Sequence, residues 1–259
     1  MFSDARFLNA LANTLAVVSV AVLILAGLVW VAKRPYFNIS QISIQSADKT
    51  NLGFVSPATV RATIAGGLAG NFFFMDLNEA RQLIETTPWV RKAGVRRVWP
   101  NALLVSIEEQ QPLAYWNQNQ MINTWGEAFS ANQGEIPDDA RLPQLNGPDS
   151  SERLVVQRYA ELTNRLTPLN LKVEEVTLSP RYAWDVTLEG GLRLALGRDP
   201  AADVADPHGR QGALPFAERI ERFVQAWPVL TSYLGQQKLA TADLRYPNGF
   251  AITLASDGN

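Results

Sequence analysis

Residues 76–107 read DLNEARQLIETTPWVRKAGVRRVWPNALLVSI, and local signals divide them into three elements. Asp76-x-x-Glu79 has the spacing of a capping box, in which a side-chain acceptor serves the first free backbone N–H groups of a helix. Leu77, Ala80, Leu83 and Ile84 then recur at helical spacing. Thr87-Pro88 stops that helix, because proline disfavours helical geometry in the residue before it. Val90–Trp99 and Ala102–Ile107 read as two strands joined at Pro100-Asn101, a turn-forming pair. The stretch is helix, strand, strand.

Immediately upstream, Ile39 is followed by Ile42 and Ile44, which alternate as a half-buried strand requires. Ser56-Pro57 offers an N-cap and a proline at the first helical position, where its missing N–H costs nothing. That helix is expected to reach about Ile64 and end at Gly66-Gly67, so the order through residue 107 is β-α-α-β-β. Phe72, Phe73, Trp89 and Trp99 read as core or hinge wedges. Arg91, Lys92, Arg96 and Arg97 lie on both faces of a hairpin and read as a solvated surface. Glu108 and Glu109, adjacent in a strand, point to opposite faces and cannot work as an acid/base pair.

Farther upstream, Leu15–Ala32 carries no charge and a single hydroxyl, Ser19. About 17–25 apolar residues let a helix cross roughly 30 Å of hydrocarbon. A core helix this apolar on every side would need a partner segment that the rest of the chain does not offer. A cleaved signal peptide would have a shorter apolar run and a small-x-small site, whereas this run ends in Trp30-Val31-Ala32 and then Lys33-Arg34-Pro35. A retained single-span anchor is the reading. Its flanks carry Arg6 with Asp4 on one side and Lys33 and Arg34 on the other, a count that puts the large domain in the cytoplasm. The absence of cysteine leans toward an oxidising compartment instead.

Downstream of Glu108 the pattern is mostly strands. Ala114–Trp116 and Gln120–Asn123 form a hairpin around Asn117-Gln118-Asn119, and Leu145-Asn146-Gly147-Pro148 reads as a turn. Ser151–Leu166 is a helix. Val173–Leu178, Trp184–Leu188 and Leu192–Leu196 are successive strands, with Gly190-Gly191 at a hairpin turn. Pro215–Leu234 is a second helix, and Asp243–Tyr246 and Phe250–Leu254 read as closing strands around Pro247-Asn248-Gly249. The segment Asp199–Leu214, rich in Asp, Pro, Gly and Ala, contains His208 and reads as a flexible surface loop.

Composition narrows the function. A net charge of −2 argues against bulk nucleic-acid binding. With no cysteine and one histidine, a zinc, copper or haem site would depend on carboxylates. Neither a Walker loop nor a nucleophile elbow is present. No catalytic residue, cofactor or metal is expected.

Several short motifs occur in order behind the anchor. They are Gly70-Asn71-Phe72-Phe73, Met75-Asp76-Leu77, Pro88-Trp89-Val90, Ala93 with Val95-Arg96-Arg97, Trp99-Pro100 with Leu103 and Val105, and Glu109 with Pro112, Ala114 and Trp116. Together they resemble the POTRA domain of the bacterial cell-division family FtsQ/DivIB. Leu142-Pro143, Asn146-Gly147-Pro148, Leu196-Gly197-Arg198 and Asp243-Leu244-Arg245-Tyr246 with Asn248-Gly249 resemble the second domain of that family. The resemblance covers most of residues 15–254.

What the resemblance implies is an α+β protein: a cytoplasmic tail over 1–14, a transmembrane helix over 15–32, a POTRA domain over 36–107, and a mixed domain with an antiparallel sheet and helices over 108–259. It implies an inner-membrane location with a cytoplasmic N-terminus, periplasmic domains and enrichment at the septum, against the local charge count. The activity implied is a scaffold without catalysis that binds FtsB and FtsL and helps recruit and regulate septal wall synthesis. The POTRA domain is open to further division partners. Binding is by strand addition on the edge formed by Phe250–Leu254, which few residues follow. Carried over by position, Tyr246, Asn248, Gly249 and Phe250 line that edge, while Arg198 and Arg245 reach acidic side chains of the partner. Two other readings stand beside this one: an assembly factor for exported proteins and a wall-modifying enzyme.

Overall fold

The computed structural model describes residues 5–48, 51–67, 70–137, 139–199, 214–235 and 237–255. His208 and most of the loop read over 199–214 lie outside them. The chain divides into two compact units, Met1–Gln110 and Gln111–Asn259.

The first unit opens with α1, Ala5–Ala32. Its stretch Leu8–Ala32 is 25 residues of apolar helix with none of its most apolar window buried. The helix therefore starts about ten residues before the apolar run does, because helical hydrogen bonding continues through Asn9 and Asn13 although their side chains are polar. Then come β1 (Gln41–Ser46), α2 (Pro57–Gly67), α3 (Leu77–Glu85), β2 (Val90–Val98) and β3 (Ala102–Glu109). β3 is the central strand, parallel to β1 and antiparallel to β2. Leu103, Val105 and Ile107 are fully buried on one face of β3. α3 packs on β2 and α2 on α3, with Val60, Ile64, Ala80 and Ile84 buried.

Asp76 caps α3 as its spacing predicts, accepting from the N–H groups of Asn78 (2.8 Å) and Glu79 (3.3 Å). Glu109 accepts from the backbone N–H groups of Gly53 (2.8 Å), Phe54 (2.9 Å) and Val55 (2.6 Å). Glu108, on the other face, pairs with Arg91. The two carboxylates do point apart.

Two expectations fail here. Phe72 and Trp89 are buried, Trp89 stacking on Phe54 at 4.2 Å, but Phe73 is 47% and Trp99 70% exposed. Both sit in turns, where no strand or helix period fixes the side of the chain that faces the core. Nor is the basic group uniformly solvated. Arg97 reaches back to donate to the carbonyls of Phe72 and Met75, the latter at 2.6 Å, satisfying groups that no strand or helix pairs.

The second unit holds β4 (Pro112–Trp116), β5 (Gln120–Asn123), β6 (Ala128–Phe129), β7 (Gln144–Asn146), α4 (Glu152–Leu166), β8 (Val173–Leu178), β9 (Ala183–Leu188), β10 (Arg193–Arg198), α5 (Phe216–Leu234), β11 (Leu239–Asp243) and β12 (Ala251–Leu254). The strands form one nine-stranded sheet in the order β12-β11-β10-β9-β8-β7-β4-β5-β6. The sheet is mixed rather than antiparallel throughout: β10–β11, β4–β7 and β7–β8 are parallel junctions. α4 lies on β7 and β8 and α5 on β10, and the two helices touch. The core between helices and sheet includes Trp116, Leu145, Leu162, Trp184, Phe216, Ile220 and Phe223.

Two segments differ from their sequence reading. Leu145 and Asn146, expected in a turn, belong to β7, which joins β4 to β8. The strand expected over Asp243–Tyr246 lies earlier, at Leu239–Asp243. Arg245 and Tyr246 instead belong to the connection from β11 to β12.

Candidate partner-binding edge

β12 lies at the end of the sheet, paired on one side only, with β11, among the described residues. All four of its residues are exposed, and Ile252 and Leu254 stand at 37% and 39%. An edge strand with open N–H and C=O groups and apolar side chains is a template for another chain.

The connection Leu244–Phe250 leads into that edge. Leu244 is buried, and its N–H donates to Ala195 O on β10 (2.8 Å), which anchors the start. Arg222, from α5, anchors the end: its Nη1 lies 3.3 Å from Tyr246 O, 2.9 Å from Pro247 O and 3.3 Å from Gly249 O. Phe250 packs edge-on against Phe223 of α5, with ring centroids 6.0 Å apart. One face of the connection is thus fastened to the helix, and Tyr246 is 54% exposed on the other. Asn248 is exposed as well. Gly249 does not adopt a positive φ, and a Cβ there would meet nothing within 4 Å. This chain's own packing does not require glycine at that position.

Arg245 does not project alone. Its Nε and Nη2 bind Asp243 Oδ1 (2.8 Å) and Oδ2 (2.6 Å) side by side. That bond is the main reason the Asp243 carboxyl is held below the usual aspartate range, burial acting the other way. The same bond raises the Arg245 pKa. The stem of Arg245 crosses Gly197, where φ is +67° and a Cβ would stand 3.0 Å from Cγ and 3.1 Å from Cδ. Glycine is needed there both for the left-handed backbone and for the close approach. Arg198 follows at the exposed end of β10, so Gly197 brings the regions of Arg198 and Arg245 together.

Beneath them, Arg219 is buried and donates to the carbonyls of Leu196 and Arg198, the latter at 2.8 Å. Burial lowers its pKa, with Asp199 opposing the shift and Arg222 adding to it. An arginine remains charged regardless. Asp199 in turn pairs with Arg158 and accepts from Phe216 N at 3.2 Å. These residues hold the ends of β10 and α5 together.

All six expected residues therefore lie on the β10 end, the β11–β12 connection or its entry into β12. Phe250 is turned partly into the core, and Arg245 already has an acidic partner. Arg219, Arg222 and Asp243 are additions that the sequence reading missed. In Glu218-Arg219-Ile220-Glu221-Arg222-Phe223 the two arginines recur at i and i+3, each before a core residue, a spacing that puts both on one side of α5 without marking what they bind.

A profile described as "Cell division protein FtsQ/DivIB, C-terminal" matches residues 114–245, and one described as "POTRA domain, FtsQ-type" matches 37–110. The chain belongs to the FtsQ/DivIB cell-division family. It is 60% identical over 255 residues to the cell division protein FtsQ of Bordetella pertussis, covering 98% of this chain and 93% of that one. With FtsQ of Burkholderia pseudomallei the identity is 44%, covering 98% and 95%, and with FtsQ of Nitrosospira multiformis 34%, covering 97% and 98%. Membership of FtsQ/DivIB and, among the described residues, a single long apolar helix near the N-terminus fit a single-pass membrane protein of cell division. The FtsQ/DivIB C-terminal match stops at Arg245, within the connection and before β12.

Elsewhere in the second unit, a groove of about 710 Å³ is lined by Ile136, Leu142 and Val173 with Arg141, Lys172 and Glu189 at its rim. Glu189 pairs with both cations, at 3.6 and 3.4 Å. Among the described residues no three His, Cys, Asp or Glu side chains gather to hold a metal ion.

Proposed function

We propose that the chain is a scaffold without catalytic activity that binds FtsB and FtsL on the β12 edge by strand addition, and so helps recruit and regulate septal wall synthesis. The observation that carries this reading is β12 itself: a sheet edge with all four residues exposed, two of them aliphatic. In strand addition, main-chain hydrogen bonds supply affinity and side-chain pockets supply register and specificity. Tyr246 and Asn248 would flank the incoming segment, and the open space at Gly249 would admit its backbone. Phe250 would act from beneath by fixing the connection against Phe223. Arg245 would offer Nη1, which its pair with Asp243 does not use, to a carboxylate of the partner. Arg198 would reach an acidic side chain of the same partner from β10. Both folded units would be periplasmic, with residues 1–14 cytoplasmic and the protein concentrated at the septum.

Site-specific photo-crosslinking in living cells tests the reading, with the reactive residue at Asn248 and a control at exposed Gln157 on α4. The expected result is an adduct to FtsB or FtsL at Asn248 and none at Gln157. Correctly exported protein that gives no adduct at Asn248 would move the partner site elsewhere.

A further inference from the structure

Three segments of the first unit are tied into one surface directly below the end of α1. Asn71 is the fastening: its Nδ2 donates to Ala32 O at 2.8 Å, capping one of the last carbonyls of the helix. Its backbone forms a bridge with Asn38, and Phe72 N donates to Phe37 O at 2.7 Å. The β2–β3 turn joins the same surface, because β3 runs parallel to β1 and the strands start together, Gln41 opposite Ala102. Ser40 N donates to Asn101 O at 3.0 Å, and Arg97 holds the carbonyls of Phe72 and Met75.

The large hydrophobic side chains that this surface leaves most exposed are aromatic. Trp30 is 60% exposed, Tyr36 64%, Phe73 47%, Phe74 56% and Trp99 70%. Arg34 lies over the Trp30 ring at 3.6 Å, with Lys33 beside it in sequence. Four large rings at the base of a folded unit, next to a helix that ends in Trp and two cations, match the side-chain chemistry of the membrane–water interface. There Trp and Tyr rings sit at head-group level, Phe rings bury at the boundary with the acyl chains, and Lys and Arg reach the phosphates.

We infer that Tyr36, Phe73, Phe74 and Trp99 form a collar that seats the base of the POTRA domain in the lipid head-group layer. The occupant follows from continuity with the span. The 25-residue apolar stretch of α1 measures about 38 Å at 1.5 Å per residue, enough for the roughly 30 Å of hydrocarbon. Trp30, Lys33 and Arg34 place its end at the head groups, and the collar begins two residues after Arg34. With α1 capped by Asn71, the domain is held at a fixed height rather than hung on a free linker. The inference rests on α1 being a membrane span.

The chain has no cysteine, so single nitroxide labels can be placed without background. Labels at Phe74→Cys and Trp99→Cys replace exposed rings and leave the core intact. Gln45→Cys, exposed on β1 about 13 Å farther from the membrane at 3.3 Å per residue, serves as the aqueous control. Val22→Cys marks the span. Full-length protein, one copy per nanodisc of mixed zwitterionic and anionic phospholipid, is read by collisional access of oxygen against a water-soluble nickel chelate. The expected oxygen-to-nickel ratio at Phe74→Cys and Trp99→Cys is several-fold above that at Gln45→Cys. An aqueous ratio at either position, with Val22→Cys in hydrocarbon, overturns the collar while leaving the span intact. That is also the outcome if these rings serve a protein partner. An aqueous ratio at Val22→Cys as well removes the span and the collar together.

Discussion

Arg222 gives one guanidinium nitrogen to the carbonyls of Tyr246, Pro247 and Gly249, and each of those carbonyls belongs to the segment that presents the expected contact residues. A hydrogen bond from a charged donor contributes about 1.5–3 kcal/mol, less where it is long, as two of these are. Arg222→Met keeps the apolar stem and removes the fastening. We expect it to lower stability by about 1–3 kcal/mol, or roughly 2–4 °C of Tm per kcal/mol, and to weaken FtsB binding by more than that loss explains. Unchanged binding by calorimetry would mean that the connection holds its shape without the arginine. Asp243 lends itself to a pH test. Its folded pKa is depressed by Arg245, so its contribution is present above the unfolded value of about 3.9 and disappears as pH falls through the lower folded value. Arg245 is 62% exposed, which limits that contribution to less than about 1 kcal/mol. Neither group titrates near neutrality, so the difference in urea midpoint between wild type and Asp243→Asn should be flat from pH 5.5 to 8 and shrink below pH 4. Of the residues in this site, the sequence exposed those in motifs and concealed those acting through geometry. Nothing local distinguishes Arg222, which binds three carbonyls 24 to 27 positions away, from a solvated arginine.

β12 shows how far an element could be read and where the reading slipped. Phe250–Leu254 and Ala251–Leu254 differ by one residue, because the turn signal Pro247-Asn248-Gly249 bounds the apolar run that follows it. β7 was concealed: three residues carry too little period to register, and the Asn146-Gly147-Pro148 that follows is a strong turn signal. β11 was displaced because Leu239–Asp243 contains two alanines, whereas Leu244-Arg245-Tyr246 carries the larger side chains without pairing as a strand. The edge itself yields a test at this scale. In an antiparallel pair, successive residues aim their N–H groups to opposite sides. Proline at a position facing β11 removes a bond of the sheet, while proline at a position facing outward removes only a bond to the partner. A scan of Ala251, Ile252, Thr253 and Leu254 should therefore alternate. One alternate pair of variants keeps Tm and loses FtsB binding, and the other pair loses Tm. Outward-facing variants that bind normally would rule out main-chain pairing at β12, leaving side chains alone as the contact.

For the molecule as a whole, the β-α-α-β-β order, the apolar helix and the α+β class were legible because long periodic segments dominate them. Orientation was not, and the two signals oppose each other. Lys33 and Arg34 follow α1, whereas Arg6 stands near its start with Asp4 close by, so a bare count retains the folded units in the cytoplasm. That count has its force in short loops, whereas long domains translocate largely regardless of charge. More than 200 residues follow this span. The collar gives the two cations another use as well, at the phosphates of whichever leaflet the domain faces. We therefore expect the FtsQ/DivIB orientation to prevail. With no native cysteine to react, Gln157→Cys on α4 can be challenged by a membrane-impermeant maleimide in cells whose outer membrane alone has been opened. Labelling as complete as after full lysis places the second unit outside the inner membrane. Labelling only after lysis would place it in the cytoplasm, and both a periplasmic partner for β12 and a crosslink from Asn248 would fall with that result.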